Sequence, residues 1–175
     1  MAQSLLIVDA GPLIALAVAD VLPETIALYQ TLWVPQAVID ECLARSPHST
    51  SLPGAAAIRK ALRADKGIGL HTIPHADIAP LDAAYALGLG TGEAAVISYA
   101  AQHQHIALID DRKARKIAAL MQVKTVGSGA VLLALKASGH IAQIAPALAA
   151  WQAHGYFVAP AIANELLRRA GESEA

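Results

Sequence analysis

Leu5-Leu6-Ile7-Val8-Asp9-Ala10-Gly11-Pro12 is the stretch on which the reading of this chain turns. Four apolar residues, then a carboxylate, then a Gly-Pro pair, read as a short buried strand followed at once by a helix, with Pro12 suited to its first turn. The pattern returns at Ile106-Ala107-Leu108-Ile109, which Asp110 and Asp111 follow directly. A carboxylate at the end of a buried strand must be paired or bind a cation, because desolvating it alone is costly.

Outward from these two runs, strands alternate with helices. Helices are expected over residues 11–19, 23–30 and 35–45, around a brief strand at 32–34. Residues 46–54 are turn formers and read as a mobile loop. A helix carrying Arg59, Lys60, Arg63 and Lys66 follows and ends at Gly67 and Gly69. A strand at 70–73, a helix at 80–88 and the loop Gly88-Leu89-Gly90-Thr91-Gly92 lead into a helix at 92–103. Beyond the strand at 106–109 come a helix at 112–121, a strand at 123–126, a helix to 137, more helix, and a last strand at 156–158. This alternation, without repeat or inter-domain linker, predicts an α/β fold around a parallel sheet. Ligands of such sheets gather beyond the carboxyl ends of the strands, where Asp9, Asp110 and Asp111 lie.

At 175 residues the chain is long enough for one domain with a real core. Hydrophobic residues make up 55%, many of them alanine, which favours closely packed helices over disorder. A net charge of −1 gives no global basic footprint, so attraction to a nucleic acid would have to be local. Cys42 is the single cysteine, which excludes an internal disulfide and a CxxC metal site. The start has no basic targeting region and Asp9 breaks its apolar stretch. Residues 11–22 are too short to span a bilayer, and Lys136, Ser138 and His140 interrupt the apolar stretch at 126–150. A soluble cytoplasmic protein, off the membrane, is the expectation.

Asp9, Glu41, Glu93, Asp110 and Asp111 are five of the chain's 14 acids, and all sit in mostly apolar contexts. On its helix Glu93 shares a face with Val96, Ile97 and Ala100, with Ser98 and Gln102 opposite. Glu41 falls between Ala37 and Val38, whereas Asp40 goes with Gln36. Each acid has a structural alternative. Asp9 and Asp111 are suited to capping the helices that follow them. Glu93 is favourable in a first helical turn. Glu41 is four residues from Arg45 and suited to pairing with it. These alternatives are independent of one another, whereas a hydrated Mg²⁺ or Mn²⁺, which prefers oxygen ligands, accounts for all five acids at once. Beside them, Arg112-Lys113-Ala114-Arg115-Lys116 puts four cations in the first turns of a helix, where the macrodipole disfavours them. Nearby carboxylates or a polyanionic substrate would compensate; a solvated face is the alternative.

Other chemistries fit less well. An aspartyl-phosphate enzyme would want DxD at Asp9, but residue 11 is Gly. Gly88-Leu89-Gly90-Thr91-Gly92 lacks the Lys-Ser or Lys-Thr of a P-loop. The His71/His75 and His103/His105 pairs lack zinc-site spacing.

Four stretches, in this order, resemble PIN-domain proteins: Ile7-Val8-Asp9-Ala10-Gly11-Pro12-Leu13-Ile14, Val34-Pro35-Gln36-Ala37-Val38-Ile39-Asp40-Glu41, Gly90-Thr91-Gly92-Glu93-Ala94-Ala95 and Leu108-Ile109-Asp110-Asp111-Arg112-Lys113-Ala114-Arg115. The last two, with Val126-Gly127-Ser128-Gly129, Leu132-Leu133 and Lys136-Ala137-Ser138-Gly139-His140-Ile141, look like a branch related to VapC-type toxins. The resemblance covers about residues 4–145. It implies a single-domain three-layer α/β/α sandwich, read here as residues 1–158; residues 159–175 lie outside the resemblance and read as a C-terminal helix and tail in which Arg168 and Arg169 end a frayed helix. It implies a Mg²⁺- or Mn²⁺-dependent endoribonuclease. In it Asp9, Glu93, Asp110 and Asp111 would hold metal, and Glu41 would act through water or orient the nucleophile. Arg112, Lys113, Arg115 and Lys116 would hold the RNA backbone. The resemblance leaves open which of Asp110 and Asp111 is the family's last acid. It also implies a homodimer and a small antitoxin protein as partner. One departure stands out: many relatives have Ser or Thr two residues after the first Asp, where this chain has Gly11. The rival reading is an inactive PIN-like module that acts by binding a protein partner through its apolar helices.

Overall fold

The computed structural model describes residues 5–44, 52–63, 68–86 and 88–172. Of the sequence readings, Arg45, Lys66, Gly67 and most of the 46–54 loop lie outside them. The first half runs β1 (Leu6–Val8), α1 (Ala10–Val18), α2 (Leu22–Tyr29), β2 (Thr31–Pro35), α3 (Gln36–Leu43), α4 (Ala55–Leu62) and β3 (Gly69–Ile73). The second runs α5 (Ala83–Ala86), α6 (Thr91–His103), β4 (Ile106–Leu108), α7 (Arg112–Leu120), β5 (Lys124–Val126), α8 (Ser128–Ala137), α9 (Ala145–Ala153) and α10 (Pro160–Ala170). All strand pairs are parallel and the order is β3-β2-β1-β4-β5. Helices cover both faces, so the expected α/β/α sandwich is the observed one.

The central strands are apolar because both faces are covered. Ile7, Val8, Leu32, Val34, Ala107 and Leu108 have no exposed surface. Helix α6 lies over β1, β2 and β4, and α7 packs beside it and against β5, while α1, α2 and α8 pack on one another. Trp151 in α9 is buried, and its indole N–H donates to the Ala15 carbonyl at 2.8 Å, tying α9 to α1.

Strand order decides where a site can form. From β1 the chain steps to β2 and β3 on one side, then crosses back to β4 on the other. That reversal brings the carboxyl ends of β1 and β4 together: Val8 pairs with Leu108, and the Asp9 N–H donates to the Leu108 carbonyl at 3.1 Å. A crevice beyond such a reversal is the usual ligand site of an open parallel sheet.

Three sequence expectations are corrected. Residues 80–88 do not form one helix: a 3₁₀ turn at His75–Asp77 is followed by irregular chain and the short α5. The Ala79 carbonyl is instead bound by the Ser98 hydroxyl and by Gln102 of α6, so Ser98, on the helix face opposite Glu93, is buried beneath this segment. Residues 156–158 form no strand, because the Tyr156 N–H closes the end of α9 on the Trp151 carbonyl at 2.8 Å instead of entering a ladder. The end of α10 is not frayed. Gly171, at φ 71°, closes it by donating to the Arg168 carbonyl, and Arg168 makes two bonds to Glu165, at 2.8 and 2.7 Å. Among the described residues no single helix is long and apolar enough to cross a membrane.

Candidate active site

Asp9 occupies the cap position of α1 with extended backbone (φ −84°, ψ 164°), yet its side chain makes no capping hydrogen bond. The carboxylate is only 6% exposed, and among the described residues it has no ion-pair partner. Its pKa is pushed up to about 7. Burial is the main cause; the Ala10 N–H opposes it, and Glu93, Glu41 and Asp110 add repulsion. Local helix capping therefore does not explain this residue.

The two aspartates after β4 separate by role. Asp111 caps α7, with Oδ1 accepting the Ala114 N–H at 2.8 Å. Asp110 turns the other way. Its Oδ1 accepts the Ser128 N–H at 2.9 Å, and its Oδ2 accepts the hydroxyls of Ser128 and Tyr156. Burial raises the Tyr156 hydroxyl pKa above its ordinary value, and the Asp110 charge adds to the shift, so the phenol stays a donor. Gly127 makes this possible: a Cβ there would stand 2.9 Å from Asp110 Oδ1.

Glu93 sits in the first turn of α6, where its Oε2 accepts the Gly90 N–H at 2.9 Å. This is one half of a capping box, since Gly90 has no side chain to complete it. Glu41 is exposed on α3. Gly92 lets α3 and α6 meet: a Cβ there would lie 3.0 Å from Val38 Cγ2, 3.1 Å from Glu41 Oε2 and 3.8 Å from Asp9 Oδ1. A side chain at this position would intrude between the acids.

The result is one pocket of about 360 Å³ whose lining includes Asp9, Glu41, Glu93, Asp110, Asp111 and Tyr156. Five acids from four segments of the chain thus face one space, and among the described residues no lysine or arginine lines it. The donor chemistry fits a hard divalent cation, which takes oxygen ligands, and the unrelieved repulsion on Asp9 is what such a cation would neutralise. Among the described residues no three of these side chains already converge on one point. An octahedral Mg²⁺ that keeps several waters requires only one or two direct carboxylates.

A family model for the PIN domain, DUF3368, matches residues 5–172. The chain belongs to this PIN-domain family. The match runs past residue 145, where the sequence resemblance ended, through α10. No curated protein and no solved structure matches the chain. PIN domains are a nuclease fold family, generally metal-dependent and typically using Mg²⁺ or Mn²⁺.

In this PIN domain the basic stretch divides. Arg112, Arg115 and Lys116 are exposed and line a groove beside the pocket. The Lys113 ammonium instead donates to the Gly88 carbonyl at 2.9 Å and holds the loop before α6. Sequence reading missed Ser128 and Tyr156. Ser128 was within reach, since it lies just past the carboxyl end of β5, beside β4. Tyr156 had no local signal. Cys42, close to the pocket, is an inert thiol: it is fully buried, and burial first, then Glu41 and Asp9, push its pKa up to about 12.

Proposed function

We propose that this PIN domain is an endoribonuclease that hydrolyses RNA phosphodiester bonds with Mg²⁺ or Mn²⁺ bound in the acidic pocket. The observation that carries the reading is the shared pocket of Asp9, Glu41, Glu93, Asp110 and Asp111, in which Asp9 is buried and, among the described residues, has no ion-pair partner. Asp9, Glu93, Asp110 and Asp111 would hold the metal. When bound, it supplies acidified water and neutralises charge on the leaving oxygen of an in-line displacement. The remaining work belongs to the side chains. Ser128 and Tyr156 fix both oxygens of Asp110, so that carboxylate is oriented before any ligand arrives. Glu41, on the exposed side, is suited to accept a proton from an attacking water or to orient it. Arg112, Arg115 and Lys116 hold phosphates at the rim.

The test is cleavage of a mixed, structured RNA pool by the purified protein in Mn²⁺, Mg²⁺ or EDTA, beside Asp9→Asn. Metal-dependent cleavage lost in Asp9→Asn is expected. Cleavage that survives the substitution would sink the model. A role as the toxin of an antitoxin pair, and a homodimer, rest on the family resemblance.

One observation favours the rival reading, an inactive module that binds a protein partner. Gly11 offers no hydroxyl to the pocket, and crowding does not forbid one, since a Cβ there meets nothing within 4 Å. Thermal melting separates the two readings. A working metal site gains stability from Mn²⁺ through preferential binding to the folded state, by about 2.7 kcal/mol at a hundred times Kd. A module without a site shows no shift, and neither does Asp9→Asn.

A further inference from the structure

Tyr156 meets Asp110 across 46 positions of the chain, and the way they meet limits what Asp110 can offer a ligand. An ionised carboxylate has about four lone-pair sites, shared equally by its two oxygens. Asp110 Oδ2 accepts the hydroxyls of both Ser128 and Tyr156, which uses both of its sites. Oδ1 accepts the Ser128 N–H at 2.9 Å and keeps one site. Other acids of the pocket are less committed. Among the described residues Asp111 accepts one such bond, from the Ala114 N–H at 2.8 Å, and Glu93 accepts one, from the Gly90 N–H at 2.9 Å. A carboxylate that accepts a single N–H can still turn both oxygens to one cation. Asp110 cannot, unless a hydroxyl leaves.

The fold holds both hydroxyls in place. Ser128 is buried at the start of α8. Tyr156 follows α9, whose end its N–H closes on the Trp151 carbonyl at 2.8 Å, and its ring tilts against the Trp151 indole with centroids 5.5 Å apart. Trp151 is itself buried and bonded to α1. Tyr156 and Asp110 line the acidic pocket together with Asp9, which is 6% exposed and has no ion-pair partner among the described residues. The restriction on Asp110 therefore acts inside the pocket.

One available oxygen does not bear on all cations equally. Mg²⁺ demands octahedral geometry and keeps several waters, so single oxygens from one or two carboxylates satisfy it. Ca²⁺ takes about six to eight oxygens, and carboxylates often grip it through both of theirs. A site that denies the second oxygen of a carboxylate works against the larger ion.

We infer that Tyr156, with Ser128, is a positioning residue that sets the metal specificity of the pocket: by saturating Asp110 Oδ2 it confines that carboxylate to ligation through one oxygen and so selects Mg²⁺ over Ca²⁺. The inference rests on the ribonuclease reading, which puts a divalent cation in the pocket. Tyr156 acts through Asp110 and does not touch the cation.

The test is titration of the metal-free full chain with Mn²⁺, read from the electron paramagnetic resonance signal of the free ion, with Mg²⁺ and Ca²⁺ as competitors. Wild type should bind Mg²⁺ at least as tightly as Ca²⁺. Tyr156→Phe keeps the ring against Trp151 and removes the hydroxyl. It should raise the ratio of Ca²⁺ to Mg²⁺ affinity about 5- to 10-fold, the change one hydrogen bond supports. Ser128→Ala empties the other site on the same oxygen and should move the ratio the same way, which keeps the inference testable if Phe at position 156 disturbs the fold. Melting curves in EDTA show whether either variant does. A hydroxyl that merely held the chain between α9 and α10 would, when lost, weaken both ions alike. A ratio that neither variant moves would therefore overturn the inference, and so would tighter binding of Ca²⁺ than of Mg²⁺ by wild type. Mn²⁺ binding by wild type, lost in Asp9→Asn, would leave the metal pocket standing through either failure. No Mn²⁺ binding by wild type would overturn both.

Discussion

Asp9 carries a charge for which the fold provides repulsion and no ion-pair partner among the described residues. Its pKa of about 7 lies above the ordinary 3.8, so the folded protein holds a proton that the unfolded chain has released. The stability this group contributes is full below about pH 4, falls as pH rises toward 7 and is absent above it. In EDTA, Asp9→Asn should therefore remove part of the loss of stability between pH 4 and 7 and should melt higher than wild type at pH 8. The gain should be a few kcal/mol at most, at about 1.4 kcal/mol per unit of pKa. Chemical denaturation of both proteins across that range checks it; parallel pH profiles would mean the carboxylate is not frustrated. The same residue shows how far local sequence reaches. An apolar run that ends in Asp announces a carboxylate at a strand end, but helix capping and site duty look alike until the side chain is seen to make no cap. Asp111, one residue past Asp110, does cap its helix.

At the scale of elements, glycines govern the approach of one helix to another. Gly92 sits where α6 meets α3, with Val38 Cγ2 and Glu41 Oε2 crowding the place a Cβ would take. Gly92→Ala should displace Glu41, cost about 1 kcal/mol net of alanine's better helix propensity, and shrink the Mn²⁺-induced rise in melting temperature. An unchanged metal response would free Glu41 from any part in the site. The helix at 92–103 was read closely from its periodicity and from Glu93 at its start; it begins one residue earlier, at Thr91. The helix at 80–88 was misread because Pro80 looks like a helix opener. Local sequence did not reveal that Ser98 and Gln102 of α6 would take up the preceding carbonyl.

At the scale of the whole molecule, the last residues bind the fold together. The Glu172 carboxylate accepts from Lys136 at 2.7 Å and from the N–H groups of Ile144 and Ala145 at 2.8 and 2.9 Å, joining the end of α8 and the start of α9 to the end of α10. Leu166 of α10 packs against Gly129 so closely that a Cβ there would stand 2.8 Å from its Cδ1. Glu172→Gln should lower stability by about 1–3 kcal/mol, the cost of weakening charge-assisted bonds at a poorly exposed site; thermal melting reads it directly. A variant as stable as wild type would return this segment to the status of a tail.

The alternation of short apolar runs with helices made the parallel sheet legible, because hydrophobic period and run length are properties of adjacent residues. For the same reason Asp9, Asp110, Asp111 and Glu93 could be singled out one by one. Their meeting in one pocket depends on the order β3-β2-β1-β4-β5, which makes β1 and β4 neighbours although about a hundred residues separate them. Tyr156 binds Asp110 across 46 positions, Phe157 faces solvent beside the α7 cations, and Glu172 ties three helices. No local period encodes such contacts. They exist because the crossover back over β1 and the packing of α10 on α8 fix which distant side chains share a space, and only the folded chain decides that.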